Sequence, residues 1–315
     1  MALTVHDVDR FEAARPRLEA IAYRLLGSAS EAEDAVQETF LRWQVADIAH
    51  IRVPEAWMTK VLTNLCLNQL TSARARRETY VGQWLPEPVL AGDPMLGPAD
   101  TAEQREAVSY AVLVLLERLS PNERAVYVLR EAFDYSHREI AEILDITESA
   151  SQQIFHRAKK HVAAGKARSE IDEAAARRVV EEFLAAATSG ETEPLVRLLT
   201  DDAVSVGDGG GKVPARAKAS EGALAVAKFL RGLFKPSPAK RKLLGGSPDI
   251  YATYANGEPA LVAVLDGRVV AVMCLEITEE GIAAVRNQVN PDKLDRATRQ
   301  WAETADHGEP LLRVL

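Results

Sequence analysis

Residues 135–161 read YSHREIAEILDITESASQQIFHRAKKH, two short helices joined by a tight turn. Ile140, Ala141, Ile143 and Leu144 give the first helix an apolar face. Asp145-Ile146 makes the turn, and Thr147 caps the second helix, with Glu148 in its first turn, where the helix dipole favours an acid. Ser151, Phe155, Ala158 and Val162 recur at helical spacing and share one face. The other face carries Ser149, Gln152, Gln153, His156, Arg157 and Lys160, donors and acceptors with cations toward the C-terminal end. A helix-turn-helix that lays its second helix in a DNA major groove has this layout. An ordinary surface hairpin is the alternative reading.

The 315 residues leave room for two or three domains, and 47% hydrophobic residues can bury real cores. The apolar runs are too short and interrupted to span a bilayer, and His6, Asp7 and Asp9 interrupt any leader, so no membrane association is expected. Two distant cysteines, Cys66 and Cys274, make neither a disulfide framework nor a metal-ligand spacing. A reducing cytoplasm, without cofactor or metal, is expected. The net charge of −8 argues against a general nucleic-acid coat protein. DNA contact must come from local basic patches or be licensed by a partner.

Upstream the pattern is helical. Leu18, Ile21, Ala22, Leu25 and Leu26 form a stripe that Gly27 ends, and Ser30 is expected to cap a second helix. On that helix Ala35, Val36, Phe40 and Leu41 are expected to face inward, with Asp34, Gln37, Glu38 and Arg42 outward. A third helix follows Pro54, carries Asn64 and Asn68, and ends in Arg74, Arg76 and Arg77. That end suits a DNA-facing surface, or equally a solvated terminus complementing its own dipole. Residues 79–104 read as a linker rich in Pro and Gly, opening on Trp84-Leu85-Pro86, an exposed docking feature by composition. A long apolar helix over 101–119, with Val108, Val112, Leu115 and Leu116, packs the helix-turn-helix domain.

These motifs resemble the small extracytoplasmic-function sigma factors of bacteria, which keep only regions two and four. Residues 33–42, EDAVQETFLR, look like the acidic helix that binds core RNA polymerase. The resemblance implies that Asp34, Gln37 and Glu38, with an apolar rim of Phe40 and Leu41, bind the β′ coiled coil, β being a further contact. It implies that Asn64, Asn68, Arg74, Arg76 and Arg77 hold the melted −10 strand of promoter DNA. Ser149, Gln152, Gln153, His156 and Arg157 would read or position the −35 element. The chain departs from the pattern at Asp145, where Gly is common, and at Gln152, Gln153 and Ile154, where a basic residue is common.

From residue 171 helices give way to β-formers. Residues 174–187 and 223–234 read as helices, and 203–206, 259–265, 268–278 and 282–289 as strands, with a hairpin turn at Asp266-Gly267. An α+β domain follows, with helices on one curved sheet. It resembles SnoaL-like, cystatin-cone domains. Three motifs, Trp84-Leu85-Pro86-Glu87-Pro88, Asp208-Gly209-Gly210-Gly211-Lys212 and Asn290-Pro291-Asp292-Lys293-Leu294, resemble the signature of sigma factors with a fused domain that regulates in cis. The glycine run lacks the context of a phosphate loop and suits close backbone approach to the sigma domains or the linker, or a merely tight turn. The third motif reads as an interdomain contact or a simple cap. With Glu276, Arg286 and Asp202 as the charged candidates and no histidine in the cone segment, the domain is expected to be regulatory rather than an enzyme.

The expected fold is thus two all-α domains followed by an α+β domain. The boundaries are 1–78 (region two), 79–104 (linker), 105–168 (region four), 169–295 (regulatory domain) and 296–315 (tail). The expected function is promoter-specific transcription initiation with core polymerase, with a small ligand of the third domain as a further partner. A DNA-binding repressor independent of polymerase, and a SnoaL-type enzyme with a helical recruitment domain, are the rival readings.

Overall fold

The computed structural model describes residues 4–77, 80–97, 109–163, 173–216 and 218–313. They form two compact units, Met1–Thr79 with Gly92–Lys166, and Tyr80–Ala91 with Ala167–Leu315. In the first unit α1 (Val5–Leu26) opens on a capping box between Thr4 and Asp7 and closes on left-handed Gly27, φ 68°. The next helix, α2 (Ala29–Val45), starts earlier than the sequence suggested. Ser28, not Ser30, caps it, its hydroxyl accepting from the Glu31 N–H at 3.2 Å. The turn at Gly27 places Ser28 already in extended geometry (φ −129°, ψ 122°), so no further residue is needed before the helix. Pro54 begins α3 (Pro54–Arg77), where its missing N–H costs nothing.

The helix expected from residue 101 is described as α4 (Tyr110–Leu116), capped by Ser109; residues 98–108, Val108 among them, lie outside the described residues. Pro121–Tyr127 is α5, with a capping box of Ser120 and Glu123, and it runs on as a π-turn, Val128–Ala132. The helix-turn-helix is α6 (His137–Leu144) and α7 (Glu148–Ala163). Asp145 takes the left-handed conformation between them, φ 54° and ψ 45°, one that a short polar side chain tolerates. Thr147 accepts from the Ala150 N–H at 3.1 Å, and buried Ser151, Ala158 and Val162 face the core as the spacing required.

The second unit lays helices against one seven-stranded sheet. In chain order it holds α8 (Glu173–Thr188), α9 (Glu193–Leu198), β1 (Leu199–Asp208), β2 (Ser220–Glu221), α10 (Ala223–Phe234) and α11 (Pro238–Leu244). There follow β3 (Asp249–Ala255), β4 (Glu258–Leu265), β5 (Arg268–Thr278), β6 (Gly281–Gln288), α12 (Asp295–Glu303) and β7 (Leu312–Arg313). The strand order is β2-β1-β6-β5-β4-β3-β7, antiparallel throughout except β1 with β6. Asp266-Gly267 turns β4 into β5 with both φ positive, at 49° and 77°. Asn256-Gly257 does the same between β3 and β4, at 52° and 70°, and exposes a strand the sequence reading left out.

Because side chains alternate along a strand, the sheet has two different faces. Leu261, Met273, Leu275 and Val285 point to the helices and join Phe183, Val226 and Leu230 in the core. Cys274, Glu276, Arg286 and Gln288 occupy the intervening positions and take the opposite face. Phe183 is fully buried and meets Phe234 edge-on, 6.3 Å between centroids. Its truncation, Phe183→Ala, is expected to cost the second unit about 3–5 kcal/mol, the range for a buried aromatic. Denaturant unfolding should show that unit's transition moving to lower denaturant while the first unit's stays in place.

Candidate functional site

All three motifs meet within the second unit, around the carboxylate of Asp208 at the end of β1. Asp208 is fully buried. One of its oxygens accepts from the Tyr80 hydroxyl at 2.7 Å and the Gly210 N–H at 3.0 Å. The other accepts from the Leu85 N–H at 2.9 Å, Lys293 Nζ at 2.7 Å and Gln288 Nε2 at 3.3 Å. Lys293 also donates to the Leu85 carbonyl at 2.7 Å and stands over the rings of Trp84 and Tyr80, at 4.2 and 4.9 Å. Gln288 Nε2 reaches the carbonyls of Leu85 and Pro86. Asp208, Lys293 and Gln288 together satisfy both backbone groups of Leu85. Burying a cation and an anion is tolerable here because each is paired and hydrogen-bonded.

The rest of the segment is held the same way. Val89 exchanges both backbone hydrogen bonds with Asn256, to its side-chain oxygen at 3.0 Å and from its N–H at 2.8 Å. The Leu90 N–H donates to Gln300 on α12 at 3.0 Å, and the Ala91 N–H to the Tyr254 carbonyl at 3.0 Å. Asn290 donates to the Tyr80 hydroxyl at 2.9 Å and accepts from the Asp292 N–H at 3.1 Å. At the rim, exposed Lys212 and Asp292 form an ion pair at 2.6 Å. Burial, then the hydrogen bond to Asp208, pushes the Tyr80 phenol well above its ordinary range, so it stays a donor at any physiological pH.

The glycines have a spatial cause. A Cβ at Gly209 would lie 2.0 Å from the Val213 carbonyl oxygen. One at left-handed Gly210 would lie 2.3 Å from the Asn290 amide nitrogen. Pro291, in the turn that carries Lys293, opens a 3-10 helix, Pro291–Lys293. Trp84, expected exposed, is half-buried, and Leu85 through Leu90 are buried, because the motif docks on this chain's own sheet rather than presenting itself to solvent. Tyr80, Asn256, Gln288 and Gln300 belong to the clasp and were not anticipated. Only Asn256 carried a usable signal, its Asn-Gly turn.

On α2, Asp34, Gln37 and Leu41 are exposed and Glu38 half-buried, all on one face. Leu41 corrects the sequence reading: at 47% exposure it sits two turns beyond Asp34 and faces outward, while buried Trp43 takes the inward place. Phe40 is partly buried with its ring 4.9 Å from Phe11. Exposed Arg42 pairs with Glu38 at 3.0 Å. Along α3, Asn64 is half-buried and Asn68 exposed. Arg74, Arg76 and Arg77 continue its backbone, and their side chains lie outside the described residues. On α7, Ser149, Gln152, Gln153, His156 and Arg157 are all exposed, with Arg157 3.9 Å from Glu123.

Within the first unit the helix-turn-helix packs on α1 and α3 through cations. Lys60 donates to Asp145 at 2.6 Å and to the Glu142 carbonyl at 2.9 Å, closing the turn against α3. Arg17 donates to the Phe133 carbonyl at 3.1 Å and lies over the Phe133 and Tyr135 rings. Arg24 is fully buried, donates to the Leu96 carbonyl at 2.6 Å and lies over Phe133 at 4.7 Å. Burial lowers its pKa to about 10 and that of Arg124 to about 9, and both remain cations at neutral pH.

Two family models match the helical segments: Sigma-70 region 2 over residues 10–76, and Sigma-70 region 4 over residues 109–162. The chain is 36% identical over 294 residues to the ECF RNA polymerase sigma factor SigJ of Mycobacterium tuberculosis H37Rv, covering 91% of this chain and 93% of that protein. It is 30% identical over 292 residues to the probable ECF RNA polymerase sigma factor SigI of the CDC 1551 strain, covering 90% and 93%. The crystal structure of M. tuberculosis SigJ superposes with a TM-score of 0.69 at 33% identity, covering 91% of this chain and 97% of that one. Replacing Asp208 by Ala is expected to destabilise the second unit by about 3–5 kcal/mol, since Lys293 is left as a buried charge without its anion. Urea unfolding followed by Trp fluorescence measures the loss, and adding Lys293→Met should restore part of it.

Proposed function

The chain belongs to the extracytoplasmic-function family of RNA polymerase sigma factors, which act in transcription initiation, and on that premise we propose that its second unit regulates it in cis by holding the connection between the two helical regions. Asp208 and Lys293 gripping Leu85 is the observation that carries this reading. With Tyr80–Ala91 pinned to the second unit, the chain between regions two and four cannot be drawn out to its full length. Lys60 and Asp145 touch here. The −10 and −35 elements are separate along a promoter, so regions two and four part on engagement. An exposed ion pair of this kind contributes at most about 1 kcal/mol, and the contacts of Arg17, Arg24 and Arg124 add to it.

Region two (residues 1–78) meets core polymerase through the α2 face of Asp34, Gln37, Glu38 and Leu41, with Phe40 behind it, on the β′ coiled coil, β being a further contact. Complementary charge there sets orientation and on-rate. Asn64, Asn68 and the basic end of α3 hold the melted −10 strand. Ser149, Gln152, Gln153, His156 and Arg157 read or position the −35 element, amide groups supplying much of the contact. The net charge of −8 keeps the free chain off DNA until polymerase orients it. This is cytoplasmic work, and a small ligand of the second unit sets the clasp.

In-vitro transcription with core polymerase tests it, comparing the full chain, a chain ending near Ala167, and the Asp208→Ala and Lys212→Ala variants. Freeing the connection is expected to change promoter-specific output by roughly five- to thirtyfold, the weight of one to two kcal/mol. Lys212→Ala, which removes only a rim ion pair, should change it least. Unchanged output at every polymerase ratio would sink the regulatory reading.

A further inference from the structure

The second unit holds a half-open cavity of about 600 Å³ between α10, α11 and the core face of the sheet. Protein interiors are close-packed, so a chamber of this size is a built feature, and its volume is that of a small-molecule site. The cross-strand pair Ala263 and Ala271 lines it, where larger side chains would close it. Phe229, Leu261, Met273 and Val289 add apolar wall.

Its charged groups are few and of one sign. Arg216, Lys235, Lys240 and Arg241 line it, and no Asp or Glu does among the described residues. Lys240 is committed to the carbonyls of Gly232, Leu233 and Lys235. Arg216, Lys235 and Arg241 are exposed at the rim, with Arg216 stacked over Phe229. The Asn287 side-chain oxygen is buried and accepts no hydrogen bond among the described residues. A buried acceptor left open in a ligand-sized chamber is a place for a donor.

From these observations we infer that the cavity binds an apolar organic acid. Its body fills the chamber, its anionic head meets Arg216 and Arg241 at the rim, and an N–H or O–H on it reaches Asn287. The site sits where it can act on the clasp. Gly207, Asn287 and Val289 line the cavity, while their chain neighbours Asp208, Gln288 and Asn290 turn to the other face and hold residues 80–86. A ligand that moves β1 or β6 therefore moves the clasp. This rests on the ligand-controlled regulation proposed above and gives that ligand its chemistry.

Two fluorescent probes of one shape decide it. 8-Anilino-1-naphthalenesulfonate carries an apolar body, an N–H and an anionic head; N-phenyl-1-naphthylamine lacks only the head. The full-length chain is expected to bind the sulfonate about tenfold more tightly, the weight of a charge-assisted contact. Arg216→Gln with Arg241→Gln should erase that preference and leave the neutral probe unaffected. Ala271→Trp should weaken both probes, and dodecanoate should displace both. Hydrogen exchange at the Leu85 and Val89 amides should change when the sulfonate is bound. Equal affinity for the two probes, or a preference that survives loss of both arginines, overturns the acid. Full binding in folded Ala271→Trp overturns the cavity, and unchanged exchange overturns the link to the clasp. None of these measurements involves polymerase, so failure of the transcription test leaves their outcome standing.

Discussion

A carboxylate and an ammonium buried together hold a piece of backbone that has no strand of its own to pair with. Asp208 and Lys293 are both removed from water, and each is made tolerable by the other and by the groups of residues 80–86 that they bind. Removing either the pair or the segment leaves buried polar groups without partners. Segment and receptor therefore form one cooperative element, and the surrounding features follow from it. The glycines let the loop come close, Asn290 ties Tyr80 to the turn that carries Lys293, and Gln288 fills the remaining acceptors.

The first unit uses charge differently. Arg24 and Arg124 are buried against carbonyls and an aromatic face, with Glu117 pairing Arg124 and Glu31 also acting on it. Their guanidinium groups join α1 to α5 and to the start of the segment leading into region four. Arginine suits this because its planar group stacks on rings and stays charged even when burial lowers its pKa. Polar and cation–π contacts at Lys60, Arg17, Arg24 and Arg124 thus lie between the two helical regions.

Much of this was legible from local chemistry. The caps at Thr147 and Gly27, the two faces of α7 and the Asp266-Gly267 hairpin depend on neighbours within a few residues, and they stand where periodicity and turn chemistry put them. The cap at Ser28 was missed because two nearby serines can each open the helix. Leu41 was misread because its apolar character outweighed its place two turns beyond exposed Asp34. The burial of residues 85–90 was illegible for a different reason. Proline-rich composition signals that a segment cannot be a helix or central strand, but not which surface receives it. That surface is assembled from Tyr254, Asn256, Gln288 and Gln300, whose meeting depends on strand register across the whole sheet. The cavity was equally hidden, since small residues at 263 and 271 become a chamber only once β4 and β5 are paired.

The clasped segment contains Pro86 and Pro88, which restrict it to extended conformations even when it is free. Little conformational freedom is lost when it docks, so fewer contacts are needed to hold it. Segment and receptor also share one chain, and the segment meets the receptor at a local concentration set by tether length rather than by the amount of protein present. Dilution therefore does not open the clasp. A competitor for the segment would work against an internal rival of fixed strength.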